Sequence, residues 1–434
     1  MVALSPLLLL LAGGGMMPRA SSALQLADAS TPSSSRRAFL SKSAAAATAT
    51  TLVASSKAIP PPPANAGGDD DGAAATPSPL APPSSSATAA VSSPGGEKAP
   101  LKLPPMGLGC WSWGDSLFWG YDPRNDADLR SVFEYATSNH APVLFDSAEL
   151  YGLGRSETLL GEYSRSSLLS DPGDVVVATK FAALPWRTKP ASVVGACEAS
   201  ARRLGTGRPI DLYQIHFPNA YANEAYWDGL ADAYEGGLVR AVGVSNYGVD
   251  AVRACHAALA RRGVPLSTNQ IQYSLLYQHP EKTNGLLRCC EDLGMDVLAY
   301  SPLALGLLTG KYASTDDLRA VGGPRRAVFE KNVANPQYAD ILKAMGDVAD
   351  GHADAGATIP QVAINWCIAK GTIPIPGART LGQVKSNYGS LDWKMSEGEV
   401  EHLDKVSSGF SYIDPSASPF PRIDKDTGLV MFDS

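Results

Sequence analysis

From residue 104 onward the chain alternates short apolar runs with stretches whose apolar residues recur at helical spacing. The runs are MGLGCW (106–111), VLFDSA (143–148), VVVATK (175–180), DLYQIH (211–216), VRAVGVSN (239–246), STNQIQYS (267–274), DVLAYSPL (296–303) and TIPIPG (372–377). Most are nearly continuous in apolar residues, the pattern of parallel strands covered on both faces. Between them lie amphipathic segments such as NDADLRSVFEYATSNH, SVVGACEASARRLG and VDAVRACHAALARRG, the last two ending in Gly, a usual helix stop. Eight strands, each followed by helical sequence, over roughly 300 residues predict an α/β fold, the (β/α)8 TIM barrel. A doubly wound open sheet is the competitor. However, GLGCWSWG opens no helix, and no GxGxxG follows the first strand to cradle a dinucleotide.

A barrel presents its functional side chains at the carboxyl ends of its strands. Asp146 lies near the end of the second run, with Tyr151 in the loop beyond it. Lys180 ends the third run and His216 the fourth. Ser245 and Asn246 end the fifth, Gln270 lies in the sixth, and Tyr300 sits near the end of the seventh. Singly, each has an ordinary explanation as a turn cap, a rim aromatic, a snorkelling lysine or a hydrogen-bonded core histidine. Together, Asp146, Tyr151, Lys180 and His216 suit one task. A phenol titrates near pH 10, and a neighbouring ammonium lowers that value. The aspartate keeps the lysine charged, and a neutral histidine hydrogen-bonds the oxygen that receives the proton. The product is a general acid aimed at a carbonyl oxygen.

Composition narrows the partners. A net charge of −7 and a pI near 5.4 lack the basic footprint of a nucleic-acid binder. Six cysteines without a CxxC pair or Cys/His ligand spacing give no disulfide framework or zinc site, and no motif calls for a metal. Residues 1–66 hold five Lys/Arg and one acid, Asp28, among many Ala and Ser, which is the composition of a targeting sequence. LLLLLAGG with SSA before Leu24 reads as a first signal. The twin arginines Arg36–Arg37, ahead of a mildly apolar run and ANA at 64–66, read as a second. Stacked signals point to a plastid (chloroplast), with the thylakoid lumen and the stroma as alternative compartments. Residues 67–96, rich in Pro, Ser, Ala and Gly, are expected to be a disordered linker. Residues 97–408 then form the barrel and 409–434 a C-terminal tail. Residues 1–66 carry +4 of the total −7, so the remainder carries −11 and gives no reason to expect a membrane surface partner.

The segments FDSAELYG…SETLLGEY, VVVATKF, DLYQIHFP, VGVSNY, NQIQYSLLY, AYSPLALGLLTGKY and IPIPGARTLGQVKSN resemble the aldo-keto reductases in order and spacing. The likeness covers residues 104 to about 408 and is closest to plant-type chloroplast members. The resemblance implies Tyr151 as proton donor, Lys180 and Asp146 as the groups that tune it, and His216 as the residue that orients a small carbonyl substrate. It further implies an NADPH site. Ser245, Asn246 and Gln270 would hold the nicotinamide carboxamide, Tyr300 would stack on its ring, and Trp111 would be a further cofactor contact. Ser301, Leu303 and Lys311 would meet the pyrophosphate, and Gly377, Arg379, Thr380, Gln383 and Asn387 the adenosine end. Arg379 is the physical reason to expect NADPH over NADH, since a guanidinium suits a phosphate.

Trp111, Trp113, Trp119, Trp186, Phe217 and Tyr273 are expected to line an aromatic mouth, with Trp113, Trp186 and Phe217 as the substrate-pocket candidates. The stretch 312–337 is a long insertion after the seventh run, for which closure over the cofactor is one expectation and a solvated basic face at GPRRAVFEK the alternative. Two rivals come from other classes. One is an NADPH-binding redox-sensing subunit on the same fold, and the other is a Schiff-base enzyme using Lys180 as nucleophile.

Overall fold

The computed structural model describes residues 101–434 apart from 117, 167–171, 220–221, 323, 414–421, 424–429 and 432–434. The expected targeting sequence and linker lie outside the described residues. Eight strands follow one another in both sequence and space: β1 (Gly107–Gly109), β2 (Val143–Asp146), β3 (Val175–Phe181), β4 (Ile210–Ile215), β5 (Val239–Ser245), β6 (Leu266–Gln272), β7 (Asp296–Tyr300) and β8 (Ile373–Pro374). Every neighbouring pair from β1 to β8 is parallel. The ring closes where Gly109 bridges to Gly377 and its amide donates to the Pro376 carbonyl at 3.1 Å. This is the expected (β/α)8 barrel. Observed strand ends differ by a residue or more from the apolar runs, so β3 continues to Phe181 and His216 stands just beyond β4.

Period-two alternation divides the strand side chains between two layers. Val143, Phe145, Val175 and Val177 face outward into the large core shared with the helices. Leu144, Val176, Ala178, Leu212, Ala241, Leu298 and Ile375 face inward and fill the barrel itself. The next inward position of β5, two beyond Ala241, is Gly243, where a Cβ would lie 2.1 Å from Thr268 Oγ1 and 3.1 Å from Gln214 Cγ. Its missing side chain is what admits two polar neighbours to the barrel axis. Helices such as Asp126–His140, Pro190–Leu204 and Val249–Ala260 cover the outside, as their apolar periodicity predicts.

The insertion after β7 folds as a short turn of 3-10 helix, Thr315–Ala320, and a helix, Pro324–Val333. The beginning of the tail is anchored there, since Asn332 exchanges two hydrogen bonds with the backbone of Ile413.

Candidate active site

The inward alternation continues to the rim, and there it changes chemistry. Two residues beyond Leu144 comes Asp146, two beyond Ala178 comes Lys180, two beyond Leu212 comes Gln214, and two beyond Thr268 comes Gln270. A carboxylate, an ammonium and two amides thus form the uppermost layer of the barrel interior. Lys180 Nζ lies 2.5 Å from Asp146 Oδ1 and 2.8 Å from the Ser147 carbonyl, with both side chains essentially buried. Gln270 donates to the other carboxylate oxygen at 2.7 Å, and Gln214 approaches it at 3.4 Å.

Tyr151 reaches the same point from the loop after β2. Its hydroxyl lies 3.4 Å from Lys180 Nζ. Gly152, at φ 55°, turns the chain away immediately afterwards, and a Cβ there would sit 2.3 Å from the Gly114 carbonyl oxygen. His216 meets the edge of the Tyr151 ring at 5.7 Å, and Trp111 lies against its face at 6.2 Å. Asp146 and Lys180 of this layer, joined by Tyr151 and His216 from just beyond β2 and β4, bring together all four members of the expected set.

Protonation follows from burial. His216 is held well below the usual histidine range by burial and then by the Lys180 charge, so its imidazole is neutral at pH 7. Burial likewise lowers Lys180, against the opposing effect of Asp146. Tyr151 departs from expectation. Burial, followed by the charges of Asp146, Cys110 and Asp115, pushes its phenol well above 10. Desolvation outweighs the ammonium 3.4 Å away, and the group stands as a protonated donor across the physiological range. The three hydrogen bonds of Lys180 Nζ use all the protons of an ammonium. No lone pair is left facing the mouth, which weighs against Lys180 as a Schiff-base nucleophile.

Around this layer lie the residues assigned to a dinucleotide. Ser245 Oγ donates to the Gln270 carbonyl at 2.9 Å. Asn246, at φ 63°, donates to the His216 carbonyl and accepts from the Tyr300 hydroxyl at 2.9 Å. Ser301, Ala304 and Leu305 also have positive φ, in the loop just after Tyr300, and Leu153 does so two residues after Tyr151. All five non-glycine residues of this kind among the described residues therefore occupy loops at the carboxyl rim. Such conformations cost about 1–3 kcal/mol each and cluster at binding and catalytic loops. Leu303 precedes that turn, and Lys311 is exposed beyond it.

The β8 corner is similarly ordered. Thr380 caps the helix Leu381–Tyr388, Gln383 accepts from the Arg379 amide, and Asn387 donates to the Gly377 carbonyl. Arg379 reaches across to the Trp119 carbonyl at 3.0 Å. A cavity of about 280 Å³ opens beside this corner, lined by Arg379, Thr380, Gln383, Ser112, Tyr121, Asn125, Asp128 and Leu129. It lies apart from the four catalytic candidates.

The aldo/keto reductase family model matches residues 105–408. The chain belongs to the aldo/keto reductase family. It is 44% identical over 315 residues to a chloroplastic pyridoxal reductase of Arabidopsis thaliana, covering 70% of this chain and 83% of that one. It is 35% identical over 307 residues to an uncharacterised oxidoreductase of Mycobacterium tuberculosis, covering 70% and 90%. Among solved structures, an aldo/keto reductase from Klebsiella pneumoniae in complex with NADP and acetate aligns with a TM-score of 0.55 at 25% identity, covering 72% of this chain and 95% of that one. The thermostable aldo-keto reductase Tm1743, bound to epalrestat, aligns at 0.56 and 26%, covering 70% and 95%.

Two aromatic expectations need correction in this reductase. Trp113 is 1% exposed, donates its indole N–H to the Ala378 carbonyl, and packs on Phe145 and Tyr163. It belongs to the layer between barrel and helices, not to the substrate pocket. Tyr273 lies three residues from the inward Gln270, so it faces outward. It stacks on Trp366 and donates to Glu281 at 2.6 Å. Trp186 is 55% exposed in the loop after β3, and Phe217 stands against His216, so both remain near the mouth.

Two placements were not evident in the sequence: Gln214 was not singled out, and Arg325 was named only within the basic stretch GPRRAVFEK. Gln214 is inward by the same parity as Leu212, a signal that was available. Arg325, from the insertion, places its guanidinium 4.8 Å from the Trp119 ring and donates to the Leu305 carbonyl. Arg325 Nε and Trp119 Nε1 are buried donors with no partner among the described residues. No periodicity announces that placement, because it depends on how the insertion folds back.

Proposed function

We propose that the protein reduces an aldehyde or ketone to the alcohol with NADPH, taking a planar aromatic aldehyde of the pyridoxal kind as its first candidate substrate. The observation that carries this reading is the line Tyr151–Lys180–Asp146 at the barrel mouth, closed on one side by a neutral His216. Proton donation needs a phenol that is protonated at neutral pH and exposed to one side, and Tyr151 is both. Lys180 would stabilise the phenolate left after transfer, and Asp146, held by Gln270, keeps the ammonium aimed at it. His216 would donate to the carbonyl oxygen and fix its position.

The donor set of the rim fits the cofactor. Arg379, Arg325 and the two buried donors Arg325 Nε and Trp119 Nε1, unpartnered among the described residues, form a cationic corner in which no described carboxylate is hydrogen-bonded to either arginine. Such a corner suits phosphate. Asn246, Ser245 and Gln270 offer amide and hydroxyl groups for a carboxamide, and Tyr300 offers its ring. When bound, NADPH supplies a hydride from nicotinamide C4 to the carbonyl carbon.

The pyridoxal suggestion draws on the name of the Arabidopsis relative and on the stack that flanks Tyr151. Phe118 lies on Trp111 at 4.8 Å and 16°, and Trp111 lies on Tyr151. Flat rings favour such company. The same relative is chloroplastic, and residues 1–66 have the basic, acid-poor composition of a leader, which together support a plastid destination. Arg36–Arg37 make the lumen the compartment to test against the stroma, using a fluorescent fusion of residues 1–96. No helix among the described residues is long and apolar enough to cross a membrane, and no group of three or more His, Cys, Asp or Glu there could hold a metal.

The test is to follow NADPH absorbance with pyridoxal, other aromatic aldehydes, aliphatic aldehydes, ketones and quinones. Oxidation of NADPH with alcohol formed in equal amount supports the reading. Tight NADPH binding without turnover of any carbonyl contradicts it and favours the redox-sensing subunit.

A further inference from the structure

We propose that Glu149 and Arg187 form the positioning clamp that sets the Tyr151 phenol over the Lys180 ammonium. Glu149 lies between Asp146 and Tyr151 and touches neither phenol nor ammonium. Its backbone shows what it does. Ser147 N–H donates to the Ala178 carbonyl at 2.8 Å, and Glu149 N–H donates to the Lys180 carbonyl at 3.3 Å. The segment leaving β2 thus runs alongside β3 past the end of regular pairing, and there the side chain takes over. Glu149 Oε1 accepts the Ala182 amide at 2.6 Å and Arg187 Nη1 at 2.5 Å, while Oε2 faces Nη2 at 3.4 Å.

Arg187 completes the clamp from the other side. Its Nη1 donates to the Ala182 carbonyl at 3.1 Å, so both polar groups of the Ala182 backbone are held by this one pair. The guanidinium lies 4.2 Å from the Phe181 ring, and the Phe181 carbonyl accepts the His216 amide at 2.9 Å. One ion pair therefore grips the residues just before Tyr151, the two residues just after Lys180, and the backbone from which His216 projects.

An exposed ion pair contributes little and has no reason to affect chemistry. This one is different in placement. Its side chains are 14% and 19% exposed, and its carboxylate also satisfies a backbone amide. The contact it protects is fragile. At 3.4 Å the Tyr151–Lys180 approach is already long, and the Tyr151 loop continues through Gly152 and Leu153, both at positive φ. A drift of about 1 Å at a reacting group can cost about a hundredfold in rate.

The clamp rests on the reading of Tyr151 as proton donor, so its test includes a signal that needs no turnover. In the full chain labelled with 15N-lysine, the Lys180 ammonium resonance is assigned with Lys180→Met, and its response to losing the phenol is calibrated with Tyr151→Phe. Glu149→Gln keeps the size of the side chain and an acceptor for Ala182 but removes the charge. Arg187→Met keeps the packing on Phe181. Both variants are expected to move the Lys180 resonance in the direction set by Tyr151→Phe. Both should lower kcat about ten- to a hundredfold at saturating NADPH, with the dissociation constant for NADPH changed by less than about twofold. A Lys180 resonance at its wild-type position in the folded variants overturns the proposal, as does a kcat loss that only follows the folded fraction. If Glu149→Gln does not fold, Arg187→Met decides alone. A wild-type chain that reduces no carbonyl would sink the reductase reading while the resonance still decided the clamp.

Discussion

Asp146 and Lys180 meet diagonally across two parallel strands. The strand partner of Asp146 is Ala178, and Lys180 stands two residues further on, on the same inward face, with its Nζ 2.5 Å from Asp146 Oδ1. The pair sits at the end of an apolar barrel interior, where each charge compensates the other, the carboxylate also accepts from the amides of Gln270 and Gln214, and the ammonium also donates to the Ser147 carbonyl.

Removing one partner leaves the other buried and uncompensated. Lys180→Met is expected to destabilise the fold by about 3–5 kcal/mol, and a Lys180→Met/Asp146→Leu double variant by less than the single one. Equilibrium urea unfolding measures both. Equal or greater loss in the double variant would show that the charges are not energetically paired.

Trp113 serves packing. Trp113→Ala should cost about 3–5 kcal/mol through the cavity it leaves, while the ranking of carbonyl substrates stays unchanged. Trp186→Ala should do the reverse, changing KM across the substrate panel with little change in the urea midpoint. If Trp113→Ala reorders the substrates, the indole reaches the pocket after all.

Histidine 216 makes stability depend on acid. In the unfolded chain it takes up a proton near pH 6.5, whereas the folded site holds it neutral to much lower pH. Its folded value is depressed, so its contribution is present above pH 6.5 and is lost as the pH falls below that. The loss amounts to at most about 1.4 kcal/mol per pH unit. His216→Asn should unfold less steeply with acid between pH 6.5 and the carboxylate range than the wild type does. Parallel curves would mean the imidazole is freely protonated in the folded state.

The proposed phosphate corner puts the choice of cofactor on Arg379. A charge-assisted hydrogen bond to phosphate is worth about 1.5–3 kcal/mol, so Arg379→Ala should weaken NADPH roughly ten- to a hundredfold and leave NADH nearly unchanged. Arg325→Ala should weaken NADPH as well. Fluorescence titration reads both. Unchanged NADPH binding in the two variants would show that this corner holds no phosphate.

The barrel was legible because parallel strands buried on both faces must be apolar throughout, and eight such runs at regular intervals leave few alternatives. Asp146, Lys180 and His216 were legible because polar residues closing apolar strands are conspicuous, and Tyr151 because it follows Asp146 closely in the loop beyond. The acidity of Tyr151 was not, since the sequence reveals its neighbours but not how far the phenol is buried among them, and burial decides the sign. Trp113 and Tyr273 were misplaced for a different reason. Closeness in sequence to site residues does not fix the face, and Tyr273 has the opposite parity to Gln270. Arg325 and the Glu149–Arg187 pair depend on loops folding back on one another, which no periodicity encodes.

The most direct test of proton donation by Tyr151 compares wild type with Tyr151→Phe, measuring both NADPH affinity and single-turnover reduction of an aromatic aldehyde. The prediction is that affinity is retained while the rate falls about 10²- to 10⁴-fold, the usual span of a general acid. A Tyr151→Phe variant that reduces the aldehyde at the wild-type rate would contradict the assignment.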